Sequence, residues 1–150
     1  MTNTALTSSA LEPFLDTTLE TTDLQGLGER YGGKVRDVYL QKDQKRRFLV
    51  ATDRQSAFDI NWTTIPLKGQ VLTQISSWWF DQISDIMATQ VIENPDPNVV
   101  VVKDLTMIPV EIVVRAYLTG SSKTAVWVNY KEGVRNYCGN TLPEGMVKNQ

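Results

Sequence analysis

From Val71 to Met87, apolar residues recur every three or four positions: Val71, Leu72, Ile75, Trp78, Trp79, Ile83, Ile86 and Met87. That spacing predicts one amphipathic helix over 71–88. It is the clearest helical period in the chain. The remaining apolar runs are short and bounded by turn residues, as strands are. Arg47–Thr52 reads as a strand buried on both faces, Val99–Leu105 as a second, and Val110–Leu118 as a third, with Met107-Ile108-Pro109 between the last two. Gly32-Gly33 marks a tight turn from which another strand leaves through Val35 and Tyr39. An antiparallel, β-rich unit with a packed helix is expected, an α+β chain. The Trp-rich stripe is expected to cover one face of an antiparallel sheet.

Composition limits the chemistry. The 150 residues contain no histidine and one cysteine, Cys138. A Ser-His-Asp triad, a Cys-His pair, a structural zinc site and an internal disulfide are all excluded. Lys and Arg number 15 and Asp and Glu 17, for a net charge of −2. That balance provides no field for gathering nucleic acid. Residues 1–13 hold no Lys or Arg and no long apolar run, and no stretch reaches the ~20 apolar residues needed to span a bilayer. No membrane partner and a cytoplasmic location are expected. Residues 1–25, rich in Ser and Thr, read as a weakly packed arm with a short helix around Leu11 to Leu19.

Three constellations can carry chemistry on Lys, Arg, carboxylates and hydroxyls. In Gly32-Gly33-Lys34-Val35-Arg36-Asp37, glycines let backbone approach an anion, and Lys34 and Arg36, two apart, would project from one face of a strand. The alternative is a hairpin turn with solvated cations. In Asp53-Arg54-Gln55-Ser56-Ala57-Phe58-Asp59, a buried strand empties into a polar loop, suited to ligand contact or to a capped turn. In Glu111–Leu118, period two puts Glu111, Val113, Arg115 and Tyr117 on one face. Arg115 then leads to Gly120-Ser121-Ser122, where a helix through Tyr130 would start with Ser121 or Ser122 as N-cap. An arginine beside a helix N-terminus suits phosphate.

Gly33–Asp37, Ala51–Asp59, Ile65–Thr73, Ile108–Arg115, Tyr117–Ser121 and Leu142–Gly145, in this order and spacing, resemble the phosphoribosylaminoimidazole-succinocarboxamide synthase (SAICAR synthetase) family. The resemblance covers about Tyr31 to Gly145. It implies an ATP-grasp-like fold: an N-terminal arm over 1–30, a β-rich nucleotide-binding lobe over 31–107, and the incomplete start of a second α/β, substrate-binding lobe over 108–150. It implies a ligase of purine biosynthesis that uses ATP and Mg²⁺ to join L-aspartate to the carboxylate of a phosphoribosyl aminoimidazole through an acyl phosphate. Gly33, Lys34, Val35, Arg36, Met107 and Glu111 would bind ATP, with Lys34 and Arg36 catalytic. Arg115 and Ser121 would bind the substrate's ribose phosphate. Asp53, Arg54, Ser56 and Asp59 would lie near the imidazole or aspartate. Family members are longer, and the metal ligands are expected after Gln150, so this chain alone is expected to show little ligase activity. Other readings are a nucleotide-binding module without catalysis, another ATP-dependent phosphotransferase, and an interaction domain with solvated charges.

Overall fold

A computed structural model describes residues 8–57 and 60–150. The chain forms two compact units, one ending at Thr106 and the other running from Met107 to Gln150. The first opens with a single helical turn, α1 (Ser8–Leu11), continued by a 3-10 turn over Glu12–Phe14. No helix continues to Leu19, and the arm is not weakly packed throughout: the backbone N–H groups of Leu19, Thr22 and Leu24 donate to Asp53, Asp37 and the Tyr39 hydroxyl.

The unit's sheet contains β1 (Glu29–Gly32), β2 (Arg36–Gln41), β3 (Arg46–Ala51), β6 (Val91–Asp96) and β7 (Val99–Lys103), in the order β1-β2-β3-β7-β6, all antiparallel. Between β3 and β6 the chain forms a separate hairpin, β4 (Arg54–Ala57) with β5 (Ile60–Thr64), and then α2 (Lys68–Gln82). Sequence periodicity missed β1, β4, β5 and β6. All are short or polar, and β6 carries Pro95, which an edge strand tolerates because one side of its backbone needs no partner.

The register sorts the sheet into two faces. Asp37 opposes Val50, which opposes Val99; Tyr39 opposes Phe48, which opposes Val101. This face holds Tyr39, Val50 and Val101, all buried, and the 19–24 segment is bonded to it. The other face carries Arg36, Ala51, Leu49, Val100 and Val102, which line a hollow shared with α2.

The orientation of α2 corrects the expectation that the tryptophans cover the sheet. Gly69 sets it. A Cβ there would lie 2.5 Å from the Ala51 carbonyl oxygen and 2.6 Å from Asn98 Nδ2, so only glycine permits this approach of helix to strand. Gly69 and Thr73 are the buried residues of α2, and Ser76 and Phe80, further along the same side, line the hollow. Val71, Ile75 and Trp78 lie on the opposite side and, like Trp79, are more than half exposed. The helix stops at Gln82, where turns take over from Ile83.

In the second unit, α3 spans Val126–Lys131 and a small hairpin pairs β8 (Asn136–Tyr137) with β9 (Asn140–Thr141). Tyr130 is buried; its hydroxyl donates to the Pro143 carbonyl and accepts from Met146 N–H. Arg135 lies 4.0 Å over the Tyr130 ring and forks onto both oxygens of Glu144 at 2.7 and 3.1 Å. Leu142–Gly145 is thereby tied to α3. The strand expected over Val110–Leu118 does not form, and residues 110–117 are exposed, Val114 at 91%. A strand is stable only with a paired neighbour, and the described residues supply none here.

Candidate functional site

Gly33 and Arg36 close the β1–β2 hairpin: Gly33 N–H donates to the Arg36 carbonyl at 2.8 Å, leaving Lys34 and Val35 as the turn. A Cβ on Gly33 would sit 2.9 Å from that oxygen, so glycine is needed for the close approach. The strand therefore starts at Arg36, one residue later than the sequence suggests. Lys34 belongs to the turn, not to a strand face shared with Arg36. Both side chains are exposed. The turn is held from outside. Thr52 donates its N–H and its hydroxyl to the Val35 carbonyl at 3.1 and 2.9 Å. Arg54 donates from Nε to the Lys34 carbonyl at 3.2 Å and from Nη2 to the Gly33 carbonyl at 2.9 Å.

Val35 and Arg36 also line the hollow between sheet and α2, whose volume is about 400 Å³. Its walls are largely apolar, from Leu49, Ala51, Leu72, Phe80 and Val100, and Lys68 is its second cation. Lys68 stands outside the three constellations above, although its place in the chain carries a signal. A lysine in the first turn of a helix opposes the positive end of the helix dipole, so local stability does not favour it there. Its Nζ donates to the Arg54 carbonyl at 3.1 Å.

The Asp53–Asp59 segment is divided in role. Asp53 is buried; one carboxylate oxygen accepts from Leu19 N–H and the other from Gly69 N–H, both at 2.8 Å. It caps α2 from a distance, because Leu67 at the N-cap offers no side-chain bond. Arg54 reaches Asp37 at 3.1 Å and donates to the Glu20 carbonyl. Asp37, fully buried, also accepts from the N–H and hydroxyl of Thr22 and pairs with Arg30 at 3.3 Å. Burial pushes the Asp37 carboxyl up, but the Thr22 donors, with Arg54 and Arg30, outweigh it and hold the group below its ordinary value. Ser56 follows a β-bulge, and its Oγ is buried with no hydrogen-bond partner among the described residues. Asp59 lies outside the described residues.

In the second unit, Met107 is 81% exposed, and Glu111 is exposed as well. Without a strand, the shared face proposed for Glu111 and Arg115 has no basis. Arg115 does lie against Gly120: a Cβ built there would be 3.6 Å from its Nε. Ser121 is exposed and caps no helix, since α3 begins at Val126 after Ala125. The loop's hydrogen bonds displace the start of the helix: Ala125 N–H bonds to the Ser122 carbonyl in a turn that precedes it.

A small antiparallel sheet, one helix and a hollow with two cations among apolar walls define an α+β unit with space for a ligand. Residues 29–150 match the family model described as SAICAR synthetase, and the chain belongs to that family. It is 50% identical over 125 residues to the chloroplastic phosphoribosylaminoimidazole-succinocarboxamide synthase of Arabidopsis thaliana, covering 83% of this chain and 30% of that protein. It is 47% identical over 142 residues to the chloroplastic synthase of Vigna aconitifolia, covering 95% and 41%. Among solved structures, the SAICAR-synthase from Saccharomyces cerevisiae complexed with SAICAR aligns with a TM-score of 0.73 at 29% identity, over 88% of this chain and 50% of that one. A type-2 SAICAR synthetase in complex with ADP aligns at 0.57 and 25% identity, over 77% and 47%. The chain thus spans half or less of the length of these relatives.

Proposed function

We propose that this chain carries the nucleotide-binding part of an ATP-dependent ligase that joins L-aspartate to the carboxylate of 5-amino-1-(5-phosphoribosyl)imidazole-4-carboxylate in purine biosynthesis. The observation that carries the reading is the hollow that Val35 and Arg36 of the Gly33–Arg36 turn line together with Lys68. Apolar walls suit a flat base, and cations suit its phosphates. In this reading the fold is ATP-grasp-like, and Met107 and Glu111 are assigned to adenosine binding. A substrate carboxylate oxygen attacks the γ-phosphorus, the bond to the β-bridging oxygen breaks and ADP leaves. The aspartate amine then attacks the acyl carbon, phosphate departs and the nitrogen loses a proton. Lys34 and Arg36 stabilise charge on the transferring phosphoryl group. Arg115 and Ser121 hold the ribose phosphate. Ser56, whose buried hydroxyl has no partner among the described residues, and Asp59 are assigned to the imidazole or aspartate, with Asp53 anchoring the start of that segment.

Mg²⁺ would neutralise nucleotide phosphate charge. Among the described residues no group of three or more His, Cys, Asp or Glu side chains could hold a metal ion, so no step is assigned to it here. A second reading for this chain alone is nucleotide binding without turnover. Among the described residues no helix is long and apolar enough to cross a membrane, and the proposed location is cytoplasmic. The test is ATP titration of the chain, and of Arg36→Ala and Lys68→Ala, followed by ADP release from the complete protein with and without aspartate. Binding weakened by both substitutions and aspartate-dependent ADP release are expected. Wild-type affinity in both variants, or ADP release indifferent to aspartate, overturns the reading.

A further inference from the structure

We infer that Arg54 is a positioning residue that fixes the peptide orientation of the Gly33-Lys34-Val35 turn for an incoming phosphate, instead of touching substrate itself. The inference rests on the phosphate role proposed above for that turn. Every nitrogen of the guanidinium is engaged: Nε with the Lys34 carbonyl, Nη1 with the Glu20 carbonyl, and Nη2 with both the Gly33 carbonyl and Asp37. The side chain is 11% exposed, and the Asp37 carboxylate behind it is fully buried. Little of its donor capacity remains for a ligand.

The consequence follows from peptide planarity. In a trans peptide the N–H points opposite to the C=O, and the described chain has no cis bond. Drawing the Gly33 and Lys34 carbonyls toward Arg54 turns the N–H groups of Lys34 and Val35, on the same two peptides, away from it. Two consecutive N–H groups directed one way form the kind of concavity that receives an anion. Asp37 anchors the guanidinium, and Thr52 secures the next carbonyl, that of Val35, from its own side. Lysine cannot substitute: its ammonium keeps the charge opposite Asp37 but lacks the rigid fork that spans two carbonyls.

The test uses the complete protein and compares wild type, Arg54→Lys and Arg54→Ala. Two quantities are read: KM for each substrate, and, without ligand, exchange of the Gly33 and Thr52 amides, whose bonds to the Arg36 and Val35 carbonyls close and secure the turn. Arg54→Lys is expected to speed exchange in the turn and to raise KM for ATP on the order of ten-fold or more. KM for aspartate and for the imidazole carboxylate should stay within about two-fold, since neither meets the turn. Arg54→Ala should do the same more strongly, and if it fails to fold, Arg54→Lys alone decides. A raised KM for aspartate or the imidazole carboxylate with ATP unchanged shows that Arg54 touches substrate and overturns the inference. Faster exchange with an unchanged KM for ATP overturns it too, as does unchanged exchange. If wild type binds no ATP, the proposed function fails instead, and exchange in the free protein still reports whether Arg54 holds the turn.

Discussion

The two units treat their polar and apolar residues in opposite ways. In the first, charged groups go inside: Asp37 and Asp53 are buried and fully engaged, and Arg54 is nearly so. They tie the 19–24 segment, the glycine hairpin and the start of α2 to one sheet. In the second, the apolar run from Ile108 to Tyr117 lies outside, while a single aromatic, Tyr130, forms the centre with Arg135 stacked on it. A polar sequence motif can thus be scaffold, and an apolar one can be surface. Residue type alone does not separate the two, because what matters is whether a partner of the right kind lies within reach.

The comparison breaks first at Asp37. If the buried network holds the first unit together, Asp37→Ala leaves Arg54 without its counter-charge, and removing one member of a buried pair costs about 3–5 kcal/mol. Urea unfolding measures it, and a loss under ~1 kcal/mol would assign the network a minor role. The same carboxylate predicts acid sensitivity. Its native pKa lies below the ordinary 3.8, so the stability it contributes is complete above that value and is lost as pH falls through the depressed one. Unfolding midpoints from pH 7 down to 2 should drop steeply only below about pH 4, and Asp37→Asn should flatten that fall. A parallel curve for the variant assigns the acid sensitivity to other groups. Gly69→Ala tests the helix contact, where the new methyl would meet the Ala51 carbonyl oxygen. Overpacking of this kind costs about 1–3 kcal/mol, whereas an open site would gain slightly from alanine. Tyr39→Phe, which removes the bonds to Leu24 and Thr22, should cost roughly 1 kcal/mol in the same assay.

These positions also show what was legible beforehand. β3 and β7 were, because consecutive apolar residues at the centre of a sheet leave no other reading for Phe48–Val50 and Val99–Val102. The existence of α2 was readable from its period; its rotation was not. The apolar stripe contains Trp78 and Trp79, but the close approach at Gly69 orients the helix, and that contact spans from residue 69 to 51 and 98. The tight turn at Gly33 was readable from its glycines. The pairing of Arg54 with carbonyls twenty positions earlier was not, because side chain to backbone bonds leave no periodic trace. Val110–Leu118 had the composition of a strand, yet strand formation depends on a neighbour, which composition cannot supply.

The smallest effect is expected where the sequence looks most deliberate. Leu142-Pro143-Glu144-Gly145 is one of the family-like segments, and Glu144 forks onto Arg135 in good bidentate geometry. The guanidinium holds the Glu144 carboxyl below its ordinary value, but Glu144 is largely exposed, and water competes for both partners. Arg135 would also keep its other attachments in Glu144→Ala: the stack on Tyr130 and the bonds from Nη1 to the Tyr130 and Val134 carbonyls. The substitution should therefore leave the thermal midpoint unchanged within scatter. Tyr130→Phe, which strips the buried hydroxyl from Pro143 and Met146, should lower it measurably. If the order is reversed, the exposed ion pair holds the second unit together and Tyr130 only fills space, and the contrast between a charged interior in one unit and an aromatic one in the other no longer describes this chain.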